Sequence, residues 1–150
     1  MPDESPKRVV QKVVCYVMQD EHLLVFTHDA VPIDIAGVQV PAGTIEAGEA
    51  PEDAAVREAL EETGIQTTVV RYLGEERYDI TPSRFEIAER HFYLLVPAEP
   101  VDISHRWSAG DPHPSAGGDR APVWTCWWLP LKHAHVLAAG FGARIGAIYD

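Results

Sequence analysis

Apolar and polar positions divide the chain into short blocks. Val9 to Met18 is a β-branched and aromatic run, and Leu23 to Phe26 is a second apolar run. The polar tetrad Gln19-Asp20-Glu21-His22 between them predicts a hairpin. The stretch HDAVPIDIAG carries the Pro and Gly punctuation of a loop, and VQVPAG then predicts a short strand that ends at Pro41 and Gly43. A helix follows, over about Pro51 to Thr63. Pro51 suits the first helical position, Glu52 and Asp53 suit the positive end of the dipole, and Gly64 suits the position just past the C-terminus. Thr67 to Leu73 and Arg90 to Val96 read as strands separated by the polar segment GEERYDITPSRFEIAE. Residues 102–122, rich in Gly, Pro and Ser, read as a flexible loop or lid, and Val123 to Trp128 as a last strand. Pro130 opens a final helix, which Gly140, Gly142 and Gly146 shorten or break. Strands with helices inserted between them predict a mixed α/β layer fold.

The helix has an unusual face. At about 100° per residue, Glu58, Glu61 and Glu62 share one arc, being spaced i, i+3 and i+4. Val56 and Leu60 point to the other side as a core face, with Ala59 at the boundary. Each like-charged pair at these spacings costs about 0.2–0.5 kcal/mol on an exposed helix, which a solvated acidic face tolerates. Two features favour chemistry over solvation. The helix has a single cation, Arg57, directed away from the centre of the cluster, and the preceding loop PAGTIEAGE can fold its backbone over the acidic face. Three carboxylates beside a backbone carbonyl are the oxygen-rich surroundings that Mg²⁺ prefers.

Composition narrows the class. A chain of 150 residues with 46 % apolar and 23 % charged residues suits one globular domain, 1–150. No apolar run approaches the ~20 residues of a membrane span, and the segment MPDESPKRVVQ lacks the apolar centre of a signal peptide, so a cytoplasmic location is expected. Cys15 and Cys126 sit in apolar surroundings outside any metal-ligand spacing and read as buried thiols. A net charge of −11 argues against long nucleic acid as a partner, since that affinity rests on many cation–phosphate contacts. A small phosphorylated ligand stays open if a metal ion mediates.

The stretch from Gly43 to Ile65 resembles the Nudix box: Gly43, then Glu49, then Arg57-Glu58-Ala59-Leu60-Glu61-Glu62-Thr63-Gly64-Ile65, with every specified position filled. The resemblance implies an αβα sandwich around a mixed sheet, with the box as loop, helix and loop. It also implies a pyrophosphohydrolase in which Glu58, Glu61 and Glu62, with the Gly43 carbonyl, hold Mg²⁺ or Mn²⁺ on a diphosphate. On the same footing Glu58, Glu61 and Arg57 carry the catalytic work, Arg57 by pairing with Glu49 and orienting the helix, while Glu46 and Glu52 are solvated. The general base is a box Glu or a later group: Asp111, Asp119, Glu86, Glu89, His105 or His113. A homodimer is plausible for the family.

Outside the box, the patterns that the family associates with NADH or coenzyme A are absent. A proline or tyrosine at a set distance past the box marks ADP-ribose or dinucleoside polyphosphate hydrolases, and Pro82 and Tyr78 lie near those positions. The lean is toward ADP-ribose-like or dinucleoside polyphosphate substrates. Arg77, Arg84 and Arg90 are candidates for phosphate binding, and Trp107 for stacking on a base, whereas Trp124, Trp127 and Trp128 are expected in the core or a dimer interface. The alternative function is a nucleotide-binding sensor on the same fold without turnover. Binders of that kind lose box carboxylates, and here all are present.

Overall fold

The computed structural model describes residues 6–28, 37–81, 84–109 and 124–149. Strand β1 (Arg8–Gln19) turns through Asp20 and Glu21, both at positive φ, into β2 (His22–His28) as the predicted hairpin. A short β3 (Ala42–Thr44) precedes helix α1 (Pro51–Thr63), whose bounds match the expectation. Pro51 opens the helix, and Gly64 closes it at φ 78° with its N–H on the Leu60 carbonyl. The left-handed conformation there is one that glycine adopts without a steric cost.

Strands β4 (Thr67–Asp79) and β5 (Glu86–Pro97) are longer than expected. The polar segment between the predicted strands supplies the outer arms of one long antiparallel hairpin, paired from Thr67–Pro97 to Asp79–Ile87. Its polarity reflects exposure on a projecting hairpin rather than a loop. The edge is completed by β6 (Trp107–Ala109) and β7 (Trp124–Pro130). Residues 102–109 of the expected lid are therefore partly strand, and its remainder lies outside the described residues.

The strand order is β4-β5-β1-β2-β7-β6, with β3 paired to β1. The sheet is mixed, because β1 runs parallel to β5 and antiparallel to β3. Five consecutive residues of β1, Val13 to Val17, are fully buried, as befits a central strand covered on both faces. Val13, Cys15, Val17, Tyr93 and Leu95 face α1. Val14, Tyr16, Phe92 and Leu129 face the other layer, where Phe141 and Ile148 cover them.

That second layer differs from the expected final helix. Pro130 ends β7, and two 3₁₀ helices follow, Leu131–Val136 and Ile145–Tyr149, with Gly140 at φ 76° between them. The α1 core face also differs. Ala54, Ala55, Ala59 and Thr63 are buried, while Leu60 is 43 % exposed. Small side chains let the helix lie close to the sheet, so alanines occupy the contact and the larger leucine is left on the flank. Both cysteines are buried free thiols. No helix among the described residues is long and apolar enough to cross a membrane.

Candidate functional site

The loop before α1 folds back onto the acidic face. The β3 residues Ala42, Gly43 and Thr44 pair with Val14, Val13 and Lys12 of β1, which fixes this backbone against the helix. The Ala42 N–H donates to Glu62 Oε2 at 2.9 Å. At Gly43 a side chain has no room: a Cβ there would lie 2.1 Å from the Glu58 carboxyl carbon. The structure thus brings the Glu58 and Glu62 carboxylates onto the backbone of 42–43, and Glu61 stands beside them with its side chain half exposed.

Arg57 does not point away from the cluster. Its Nε and Nη2 donate to Glu49 Oε2 and Oε1, each at 2.8 Å, and Nη2 also reaches the Thr44 carbonyl. Nη1 donates to Glu58 Oε1 at 2.8 Å and lies 3.3 Å from Glu61 Oε2. One planar fork therefore ties loop, helix and two carboxylates together, a geometry an ammonium could not supply. The hydrogen bonds from Arg57 hold the Glu49 carboxyl down at about 2. Glu46 is exposed and only 3.9 Å from Arg57, whereas Glu52 accepts a hydrogen bond from the Tyr93 hydroxyl.

Burial raises the proton affinity of Glu58, an effect that Arg57 opposes. Burial followed by the Glu58 charge raises Glu62 further. Two desolvated carboxylates side by side are an arrangement that a hard divalent cation offsets, and the donor set of carboxylates plus a backbone carbonyl fits Mg²⁺ or Mn²⁺. Among the described residues no three acidic, His or Cys side chains already surround one point: Glu58 is turned to Arg57 and Glu62 to the Ala42 N–H.

Glu62 and Gly43 also form one end of a cleft of about 270 Å³. Its other polar lining comes from Lys12, Gln39 and Arg90, and its apolar walls include Phe26, Val40, Ile80 and Phe141. Register explains the set. Lys12 pairs with Thr44 on one side and with Arg90 on the other, so the three share one sheet face. Lys12 Nζ donates to Thr44 Oγ1 at 2.8 Å. Arg90 is held between two rings, 4.3 Å from the Tyr78 centroid and 4.4 Å from that of Phe141, and donates to the Ala139 carbonyl.

Arg84 lies exposed at the start of the β5 arm, within electrostatic reach of Lys12. Arg77 pairs with Glu89 at 2.9 Å, on the sheet face opposite Lys12 and Arg90, and does not line the cleft. Of the candidate bases, Glu89 is engaged by Arg77, and Glu86 shares the cleft face by register with Arg8. His105 stacks on Trp107 beside a separate hollow at the end of α1. Asp111, His113 and Asp119, like Pro82, lie outside the described residues. The Trp107 indole N–H donates to the Thr63 carbonyl at 2.7 Å, and His105 stacks on one of its ring faces. Trp124 and Trp128 are buried in the core, as expected.

Lys12 was not singled out from the sequence. The available signal is one cation at the edge of a fully apolar run, and its meaning appears only once β3 pairs beside it.

Comparison with known proteins gives four findings in agreement with this geometry. A model of the NUDIX domain matches residues 8–145. An RNA pyrophosphohydrolase of Dinoroseobacter shibae is 35 % identical over 85 residues, covering 54 % of this chain and 53 % of that protein. An NAD-capped RNA hydrolase of Vibrio vulnificus is 30 % identical over 107 residues, covering 69 % of this chain and 40 % of that protein. The chain spans about half the length, or less, of these curated relatives. Among solved structures, a UDP-X diphosphatase superposes on 99 % of this chain and 64 % of its own with a TM-score of 0.66 at 13 % identity, a likeness of fold.

Proposed function

This chain belongs to the NUDIX domain family, and on that premise we propose that it is a metal-dependent pyrophosphohydrolase that cleaves a nucleoside diphosphate linked to another group. The observation that carries the reading is the close fit of α1 against the Gly43 backbone, which brings the Glu58 and Glu62 carboxylates together there, Glu62 at one end of a cleft also lined by Lys12 and Arg90. The curated relatives are named as an RNA pyrophosphohydrolase and an NAD-capped RNA hydrolase, and the structural neighbour as a diphosphatase, so a phosphoric anhydride on a nucleotide is their common denominator.

Glu58, Glu61 and Glu62, with the Gly43 carbonyl, would hold Mg²⁺ or Mn²⁺. When bound, the ion offsets the charge of the diphosphate and lowers the pKa of a water. The remaining work falls to the chain. Arg57 fixes the azimuth of Glu58 and Glu61 through its bonds to Glu49 and the Thr44 carbonyl, so the carboxylates are pre-positioned rather than ordered at each turnover. Glu61 is the solvent-facing member, with 51 % of its side chain exposed, and is assigned the proton of the attacking water. The apolar walls at Phe26, Ile80 and Phe141 give the nucleoside a dry surface.

The test is product release across ADP-ribose, dinucleoside polyphosphates, NADH, nucleotide sugars and nucleoside triphosphates, with Mg²⁺ and with Mn²⁺. A best substrate whose turnover EDTA abolishes, and which Glu61→Gln and Glu62→Gln lose while staying folded, is the expected result. Full turnover in both variants sinks the assignment. Inactivity on every substrate with nucleotide binding retained replaces the enzyme with a sensor.

A further inference from the structure

Acids outnumber bases in this chain by 23 to 12. Lys7, Arg57, Arg77 and Arg144 are all in ion pairs. Among the described residues, Arg8, Lys12, Arg71, Arg84, Arg90, Arg106 and Lys132 have no such pair; of these, Lys12 and Arg90 line one cleft, and Arg84 lies exposed within electrostatic reach of Lys12. Their arrangement is built. Lys12 and Arg90 are register partners on adjacent parallel strands, both half-buried. Two aromatic rings and the Ala139 carbonyl set the plane of the Arg90 guanidinium, and that carbonyl takes only one of its five donors. The Lys12 ammonium donates to Thr44 Oγ1, which takes up only one of its three donors. Glu86 shares the face and offsets one of the three charges, leaving a surplus of positive charge opposite the acidic end.

We infer that Lys12, Arg84 and Arg90 form a seat for a phosphoryl group beyond the scissile diphosphate, so that this site selects linear triphosphates over sugar-linked diphosphates. The inference rests on the hydrolase reading above and deepens it. Spacing decides between the two substrate types. With strands roughly 5 Å apart, Lys12 stands one strand and Arg90 two strands from Thr44, the residue after Gly43. A diphosphate held against the carboxylates through cations ends near that edge. A third phosphoryl group continues onto the cations, whereas a ribose or sugar hydroxyl there leaves half-buried positive charge without a counter-charge. The choice runs against the lean to ADP-ribose-like substrates drawn from Pro82, which lies outside the described residues, while Tyr78, the mark of dinucleoside polyphosphate hydrolases, stacks on Arg90.

The experiment compares KM and kcat for a nucleoside triphosphate and for ADP-ribose, with Mg²⁺, in the wild type, Lys12→Met and Arg84→Ala. In parallel, calorimetry measures binding of inorganic tripolyphosphate and of pyrophosphate to the same proteins. The wild type is expected to prefer the triphosphate. Each variant should raise its KM about tenfold, the worth of one charge-assisted hydrogen bond, and the KM for ADP-ribose by much less. Tripolyphosphate binding should weaken in step, and pyrophosphate binding should not. Equal losses on both substrates, or unchanged tripolyphosphate affinity in Arg84→Ala, overturns the seat. Arg84 is exposed on the hairpin, so its variant decides the matter even where Lys12→Met fails to fold. If no substrate turns over but tripolyphosphate binding still depends on Lys12 and Arg84, the hydrolase reading falls and the seat stands. If ADP-ribose is the best substrate and the variants are indifferent, the seat falls and the hydrolase stands.

Discussion

At the scale of single residues, Gly43 shows how one missing atom sets the site. Its requirement is for space, not for an unusual backbone conformation. An added Cβ would sit 2.1 Å from Glu58 Cδ and 2.2 Å from Oε1. The obstructing group is the far end of a flexible side chain, so Gly43→Ala should move the carboxylate rather than unfold the protein. The expected result is a melting temperature close to that of the wild type with turnover down by about 10²-fold, the scale of an ångström-sized misplacement of a catalytic group. Unchanged turnover would show that the Glu58 position does not matter. Arg57 illustrates the opposite limit of local reasoning. Helical geometry sets Arg57 on the flank of Glu61, its i+4 neighbour, and the long side chain also bends toward the preceding loop because Glu49 and the Thr44 carbonyl catch one edge of its fork. Neither partner is on the helix, so helical spacing could not disclose the contact.

At the scale of elements, α1 was legible to the residue and the hairpin after it was not. The helix ends are written locally, in Pro51 and Gly64. The outer arms of β4 and β5 are held by partners on the opposite strand, such as Arg77–Glu89, and by Arg90 between Tyr78 and Phe141. A polar stretch read alone carries none of that. The box carboxylates were legible because the motif is contiguous, whereas Lys12 reaches the site only through the pairing of β3. The far end of α1 shows the same dependence. Helices leave their last carbonyls without partners inside the helix. Here indole N–H groups from two strands take them: Trp107 donates to the Thr63 carbonyl, and Trp124 to that of Glu62. The strands β6 and β7 thereby hold the end of the helix that carries Glu62. Trp107→Phe keeps an aromatic ring and removes the donor. It should cost about 1 kcal/mol, which for a chain of this size lowers the melting temperature by roughly 2–4 °C. An unchanged thermal transition would mean that water replaces the indole without cost.

At the scale of the whole molecule, the acidic balance makes a few long-range ion pairs matter for how the sheet closes. Lys7, just ahead of β1, meets Asp79, at the end of β4, across 72 positions of sequence. This contact joins the first strand to the projecting hairpin whose inner side borders the cleft. The Lys7 hydrogen bond, reinforced by the Thr81 N–H, holds the Asp79 carboxyl down at about 2, against 3.8 when unperturbed. The sign follows from linkage: a carboxyl whose folded-state pKa is depressed binds fewer protons folded than unfolded, so its contribution is fully present above 3.8 and is lost as pH falls toward about 2. Asp79→Asn removes the charge at every pH. Urea unfolding of wild type and variant should therefore give midpoints that differ at neutral pH and converge as the solution is acidified through that window. Because both side chains are partly exposed, added salt should narrow the neutral-pH gap as well. A gap that persists unchanged into acid, or one that salt does not touch, would assign the effect of Asp79 to its hydrogen bond with the Thr81 backbone rather than to the pair with Lys7.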